Sequence, residues 1–262
     1  MNRLFFRSIG AAIAVSGLLM VHPAAADDSP PLTTPSLETG NKPLNEPAPT
    51  GPTPKLVGLN GFAGAMFVDL GPINDRLTAN GYAAKLPLVF PILGGQGFGL
   101  FGHFLVGGSG AGLLARSVDG PDGSKVSASG AWGTFDFGYQ LVRVNGFLVA
   151  PVISLGGYGM DLTVSSKASD SFNAALMSHN RGADLTNNGF LMGFSVLAKS
   201  IIIGRNAHVA DARSGYSLGI RLGGLYGIPT HGWRSNGADI TGGPTAGLRG
   251  GYAALSIGAG TW

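Results

Sequence analysis

The sequence predicts an all-β protein, an antiparallel up-and-down transmembrane β-barrel of eight strands, with ten to twelve strands as the alternative. Three observations predict this class. Several segments after Lys55 alternate with period two, as β-strands do. One face of this alternation is bulky and apolar, whereas the other is small and carries few charges. The connections between the segments alternate between long and short, as they do in membrane barrels of this topology.

The residues before the barrel are expected to form two other segments. A basic start, an uncharged apolar run of 13 residues and an Ala-x-Ala site predict a cleaved secretory signal over residues 1–26. A membrane anchor is the alternative, but that run is short for a helix span of about 20 residues. Residues 27–54 contain eight prolines and few large apolar side chains, which predicts a disordered periplasmic spacer. The barrel is then expected over residues 55–262.

Eight candidate strands follow along the chain. Pro72 to Ala79, in the first connection, is expected to form a short helix that stops near Gly81. Asn145–Gly146 is typical of a tight hairpin turn. An even strand number leaves both chain ends on one side, so we expect both termini in the periplasm and the long connections outside the cell. The predicted strands are 56–69, 87–100, 103–116, 126–142, 147–164, 189–203, 215–228 and 245–260.

The two faces of the strands predict which face meets lipid. In strand 215–228, bulky residues such as Leu218 and Ile220 alternate with small ones such as Gly219 and Gly223. A soluble sandwich would have a polar outer face, but the small face here has too few charges for that. In a narrow barrel, the small face would line a crowded lumen and the bulky face would meet lipid.

The glycine-rich segment GGQGFGLFGHFLVGGSGAG, residues 94–112, raises the question of phosphate binding. A phosphate loop needs a strand before it and a helix after it, and a Walker loop ends in Gly-Lys-Ser or Gly-Lys-Thr. No helix is predicted after this segment, and it has no Gly-Lys-Ser or Gly-Lys-Thr ending. The segment instead predicts strand, tight turn and strand. Phe98, Phe101 and Phe104, near the turn, are expected to form an aromatic girdle at the periplasmic interface.

The chain ends in GYAALSIGAGTW, where Leu255, Ile257 and Ala259 alternate and Trp262 is last. In this ending the sequence resembles bacterial outer-membrane β-barrel proteins, whose last strand commonly ends in an aromatic residue that the barrel assembly machinery recognises. The resemblance implies a small eight-stranded outer-membrane barrel. It also implies two partners, outer-membrane lipid and the assembly machinery, with Trp262 as the assembly signal.

Three charged residues are the candidate interior site: Asp136, Arg221 and Arg249. They lie among small residues on the predicted lumen face, and buried charges need partners. One interpretation is a structural network of salt bridges and hydrogen bonds that fills the lumen. The other is a gated pore or solute site. Eight strands leave an interior just wide enough for side chains, which favours the filled lumen, whereas more strands would favour the pore.

Composition excludes several other classes of function. Without the two arginines of the signal, 15 basic residues face 14 acidic ones, and no Lys/Arg cluster predicts nucleic-acid binding. The absence of cysteine excludes disulfides, thiolate metal sites and a cysteine nucleophile. No spacing of His, Asp or Glu predicts a metal site, and no cofactor is expected.

The predicted function is a non-enzymatic outer-membrane barrel with a structural or surface-exposed role. One alternative is a narrow channel or transporter for small or apolar solutes. The other is a lipid-modifying enzyme that uses His with Ser near the outer rim, for which His179 beside Ser178 is the best-placed pair. The other candidate histidines for this chemistry are His103, His208 and His231. The oligomeric state stays open.

Overall fold

The computed structural model describes residues 56–121, 123–144, 146–165, 182–203, 214–235, 237–241, 243–244 and 247–261. The predicted signal (1–26), the spacer (27–54) and the terminal Trp262 lie outside these residues, so they stay predictions.

The described chain folds into one closed antiparallel β-barrel. Eight long strands pair in the order β1-β2-β3-β4-β6-β7-β8-β11, and β11 pairs back with β1. Each long strand pairs with its neighbours along the chain, so the predicted eight-stranded up-and-down barrel is confirmed. The elements are β1 Leu56–Val68, α1 Gly71–Ala79, β2 Val89–Phe101, β3 Phe104–Asp119, β4 Lys125–Tyr139, β5 Val142–Val144, β6 Phe147–Ser165, β7 Gly182–Ile203, β8 Ser214–Pro229, β9 Arg234–Ser235, β10 Ala238–Asp239 and β11 Arg249–Thr261.

The two ends of the barrel differ. The lower end holds the start of β1, the end of β11 and the tight β2–β3 turn, where Gly102 has a φ of 63°. The upper end holds α1, the β9–β10 hairpin and the tips of the longest strands, β6 with 19 residues and β7 with 22. β9 pairs with β7 there, through Leu185 and Ser235. Both ends of the barrel chain therefore lie on one side, as an even strand number requires.

Helix α1 forms where it was predicted. Pro72 lies in its first turn, where a missing N–H breaks no helical hydrogen bond. The helix ends at Ala79, and Gly81 turns the chain with a φ of 82°. The Asn74 amide ties α1 to the following segment, because it donates to Leu86 O at 3.1 Å and accepts from Leu86 N at 2.9 Å. The described part of the chain contains no helix long and apolar enough to cross a membrane.

The bulky faces of the strands point outward. Phe135, Tyr216 and Leu255 have 64%, 69% and 67% of their surface exposed. Phe101 and Phe104 are exposed at the lower end, as predicted for an aromatic girdle. The prediction for Phe98 is wrong: it is only 7% exposed and packs in the interior, since it shares a strand face with the buried Leu100.

The inward-facing glycines are required by close packing. Gly64, Gly94, Gly107, Gly156 and Gly189 face the interior, and a Cβ on any of them would overlap the backbone of the neighbouring strand. Glycines at such positions let the strands bend sharply enough to close a narrow barrel. The close approach of neighbouring strands therefore explains why the inner face is small at these positions.

A second set of glycines points outward and forms a row across five strands. Gly61, Gly95, Gly110, Gly133 and Gly157 lie directly opposite one another on β1, β2, β3, β4 and β6. A Cβ on Gly133 would meet nothing within 4 Å, and one on Gly157 would make only an ordinary contact at 3.5 Å. At this level the outward face is therefore small, contrary to the expectation that small residues mark the lumen, although β3 also exposes Phe104, Val106 and Leu114. We call these five residues the glycine row.

Candidate functional site

A polar layer crosses the barrel interior between two apolar clusters. The upper cluster includes Met66, Phe90 and Trp132, and the lower cluster includes Phe98 and Leu148. Polar side chains from β1, β2, β3, β4, β6, β7, β8 and β11 are buried between them. The members of this polar layer are Asn60, Gln96, Ser109, Thr134, Asp136, Ser154, Ser195, Lys199, Ser217, Arg221 and Ser256.

Arg221 on β8 is the centre of this layer. Its side chain is 7% exposed, and its Nη1 lies 2.8 Å from Asp136 Oδ2 on β4. Gly219 and Gly223 flank Arg221 on the same face, and a Cβ on Gly223 would come within 2.6 Å of Ser195. The two glycines thus leave the space that the polar layer occupies. The structure brings together the two charges that the sequence could only place on separate strands.

The guanidinium of Arg221 binds more than its acidic partner. It joins β8 to β2, β3, β6 and β7 through neutral acceptors, in addition to the ion pair with β4. Its hydrogen bonds run from Nε to Ser195 Oγ at 3.0 Å, from Nη1 to Ser109 Oγ at 3.1 Å and Gln96 Oε1 at 3.3 Å, and from Nη2 to Ser154 Oγ at 3.1 Å. A buried guanidinium has five N–H groups, so it can link many strands at once.

Asp136 is equally well bonded. Its Oδ2 accepts from Arg221, while its Oδ1 accepts from Ser154 Oγ at 2.7 Å and Thr134 Oγ1 at 3.0 Å. Both charged groups of the pair are therefore buried, and both oxygens of the carboxylate accept hydrogen bonds. This arrangement offsets the desolvation of the charges, which is the main cost of a buried ion pair.

Lys199 on β7 is a second buried cation that the sequence analysis did not select. It is 1% exposed, its Nζ donates to Asn60 Oδ1 at 2.8 Å, and the same Nζ lies 4.1 Å from the centroid of the Phe98 ring. Ser217 Oγ donates to the same Asn60 oxygen at 2.8 Å. Among the described residues, no carboxylate forms an ion pair with Lys199. Its position was readable from sequence, since it alternates in step with Ser195 on the small face of β7.

The prediction that Arg249 faces the lumen is wrong. Arg249 lies opposite Tyr226, and its guanidinium lies 4.4 Å from the centroid of that ring, which is 48% exposed. Arg249 therefore belongs to the outward face near the upper end. The physical reason is strand parity: Arg249 alternates in step with Leu255 and Ile257, the exposed large apolar residues of β11.

The histidine candidates for lipid chemistry are not brought together. His103 is exposed in the lower turn, 5.9 Å from the Tyr139 ring, and His231 is exposed at the upper end beside Thr230. His179 and His208 lie outside the described residues. Within the described ranges, no group of three His, Asp or Glu residues could hold a metal ion.

Comparisons with known proteins found no family model and no curated protein that matches the sequence. Among solved structures, Ail, the attachment invasion locus protein of Yersinia pestis, is similar at 14% identity and a TM-score of 0.41, over 80% of this chain and 99% of that chain. The outer membrane protease OmpT of Escherichia coli is similar at 8% identity and a TM-score of 0.28, over 79% of this chain and 94% of that chain. At these identities and scores no activity is transferred to this chain.

Proposed function

We propose that this protein is a bacterial outer-membrane β-barrel whose interior is sealed and whose role is structural or surface-exposed rather than enzymatic. The observation that carries the proposal is the polar layer around Arg221, which links strands across the lumen between two apolar clusters. A sealed interior of this kind makes the barrel a rigid support for its loops.

The outward surface supports the membrane location. β1 and β2 each contain 13 residues. At about 3.3 Å per residue and a tilt of about 40°, such a strand rises about 33 Å along the barrel axis. A hydrocarbon core is about 30 Å thick. Exposed aromatic residues lie at the lower end, such as Phe104 and Tyr139, and at the upper end, such as Phe67 and Tyr226, where membrane barrels carry their aromatic girdles.

The alternative functions make different predictions for conduction. The test is planar-bilayer recording on residues 27–262, refolded and checked for a change of gel mobility on boiling. We expect no conductance steps from the wild type. A general porin, whose wide barrel leaves an aqueous channel, serves in the same bilayers as the positive control for insertion and conductance. Steady conductance by the wild type would support the channel and contradict the sealed barrel.

Lipid chemistry is tested with the same preparation. The refolded protein is incubated with phospholipid and lipopolysaccharide vesicles, and released acyl chains are measured. We expect none above a protein-free control. Release that disappears in His179→Ala would establish the enzyme and overturn the non-enzymatic proposal.

The proposed orientation puts the lower end in the periplasm. Because the chain has no cysteine, single introduced cysteines can be labelled to determine the orientation of the barrel. Gly232→Cys lies at the upper end and His103→Cys in the lower turn, and both positions are exposed. We expect an impermeant maleimide to label Gly232→Cys on intact cells and His103→Cys only after permeabilisation. The reverse pattern would invert the orientation.

A further inference from the structure

A cleft of about 340 Å³ lies at the upper end of the barrel. Helix α1 forms one wall, the tips of β6 and β7 form the second, and the chain around the β9–β10 hairpin forms the third. The lining is mainly apolar. Its large apolar side chains include Ile73, Leu77, Leu162, Leu185, Trp233 and Ile240, and Tyr82 also lines it. This volume and lining fall within the range of small-molecule sites.

The walls of the cleft are held in place by hydrogen bonds. Asn74 fixes α1 through its two bonds to Leu86. Trp233 is 3% exposed, and its Nε1 donates to Pro244 O at 2.8 Å, while Ile240 N donates to Trp233 O at 2.9 Å. The cleft is therefore largely formed before any ligand arrives, which lowers the entropic cost of binding.

The rim of the cleft carries one positive charge. Arg76 on α1 lines the cleft and is exposed, with Asn80 one helical turn further along. None of the described carboxylates forms an ion pair with Arg76. Its neighbour Asp75 does not line this cleft. The floor is therefore apolar, and the rim has an exposed guanidinium beside the Asn80 amide, which also donates to Arg76 O at 2.8 Å. Such a cleft is complementary to a molecule with an alkyl tail and an anionic head.

We propose that the cleft binds a single alkyl chain that carries one anionic head group, carboxylate or phosphate. The chain lies on the apolar floor against Leu77 and Trp233, and the head group accepts hydrogen bonds from the Arg76 guanidinium. Charge-assisted hydrogen bonds from arginine to carboxylate or phosphate are among the stronger polar contacts in proteins. This site goes beyond the structural role, since a sealed barrel needs no ligand.

The binding test uses the refolded protein in nanodiscs of phosphatidylcholine. The probe is 11-bromoundecanoate, whose bromine quenches a nearby indole. We expect saturable quenching that is lost in Trp233→Phe. Decanoate and decyl phosphate should displace the probe, and comparing them distinguishes the two head groups. Decanol should bind about tenfold more weakly than decanoate, and decyltrimethylammonium should not compete. Quenching that never saturates would mean partition into the bilayer and would overturn the proposal.

Two variants locate the ligand within the cleft. Arg76→Gln should weaken both anions about tenfold while leaving decanol unchanged. Ala183→Leu fills the cleft from β7 and should abolish binding of all three. Arg116→Gln is the matched control, because it neutralises an exposed arginine near the upper end of β3 that does not line the cleft, and it should change nothing. Wild-type affinity in both Arg76→Gln and Ala183→Leu, with the boiling-dependent gel shift intact, would contradict the proposal.

Discussion

Replacing Asp136 by alanine tests whether the polar layer stabilises the barrel. The substitution leaves the Arg221 guanidinium in the interior without its acidic partner and removes the acceptor of Thr134 and Ser154. Breaking a buried pair by removing one partner costs about 3–5 kcal/mol. Part of that cost comes from the two hydroxyls, which contribute about 0.5–1.5 kcal/mol for each hydrogen bond lost.

The measurement is equilibrium unfolding by urea in lipid vesicles. With a slope of about 2 kcal/mol per molar urea, the midpoint should fall by about 1.5–2.5 M. The control is Asp239→Ala, which breaks the exposed pair with Arg234, where the N···O distance is 2.7 Å and the side chains are 42% and 65% exposed. Exposed pairs contribute about 0–1 kcal/mol, so the control should shift the midpoint by no more than about 0.5 M.

A double-mutant cycle completes the test. Arg221→Met alone leaves a buried carboxylate, whereas Asp136→Ala combined with Arg221→Met leaves no buried charge from the pair. The double variant should therefore lose less stability than the sum of the two single variants. Additive losses, or a midpoint for Asp136→Ala within 0.5 M of the wild type (about 1 kcal/mol), would refute the argument that the pair is a buried structural contact.

Three further substitutions examine the two faces of the strands. Gly156→Ala should lose about 2 kcal/mol or more, or fail to fold, because its Cβ would overlap the next strand, whereas Gly157→Ala should be neutral or gain up to about 1 kcal/mol; equal effects in urea unfolding would refute the distinction. Arg249→Leu should change stability by no more than about 1 kcal/mol, because Arg249 points outward near the upper end; a loss as large as that of Asp136→Ala would return Arg249 to the lumen.

Sequence alone predicted the architecture because long stretches of β4, β7 and β8 alternate with period two and the connections alternate in length. The polar tip of β7 was missed, and the predicted strand began at residue 189 instead of Gly182. That segment, GADLTNN, has no apolar alternation, because it extends the β6–β7 hairpin into the upper end. The short strands β5, β9 and β10 also carry no pattern long enough to detect.

The candidate site was predicted only in part. Asp136 and Arg221 stood out as charges among small residues. The alternation pattern predicts which face of its strand each residue lies on, but not that the two strands bring them into contact across the barrel. Neutral members such as Ser154 and Gln96 have no distinctive signal, since uncharged polar residues are ordinarily solvent-exposed and do not mark a buried site. Arg249 was placed in the lumen because glycines flank it, although it alternates in step with Leu255 and should therefore lie on the outward face.

The glycine row makes the barrel unequal around its circumference. The same paired row continues into Phe190 on β7 and Ile257 on β11, so bare backbone gives way to large side chains on both flanks. In the proposed membrane setting, an acyl chain beside the row would touch the main chain of the wall, while one beside β7 or β8 would touch phenyl and branched aliphatic groups. At the level of the row, lipid can therefore approach the axis of the barrel more closely along β1 to β6 than along β7 or β11.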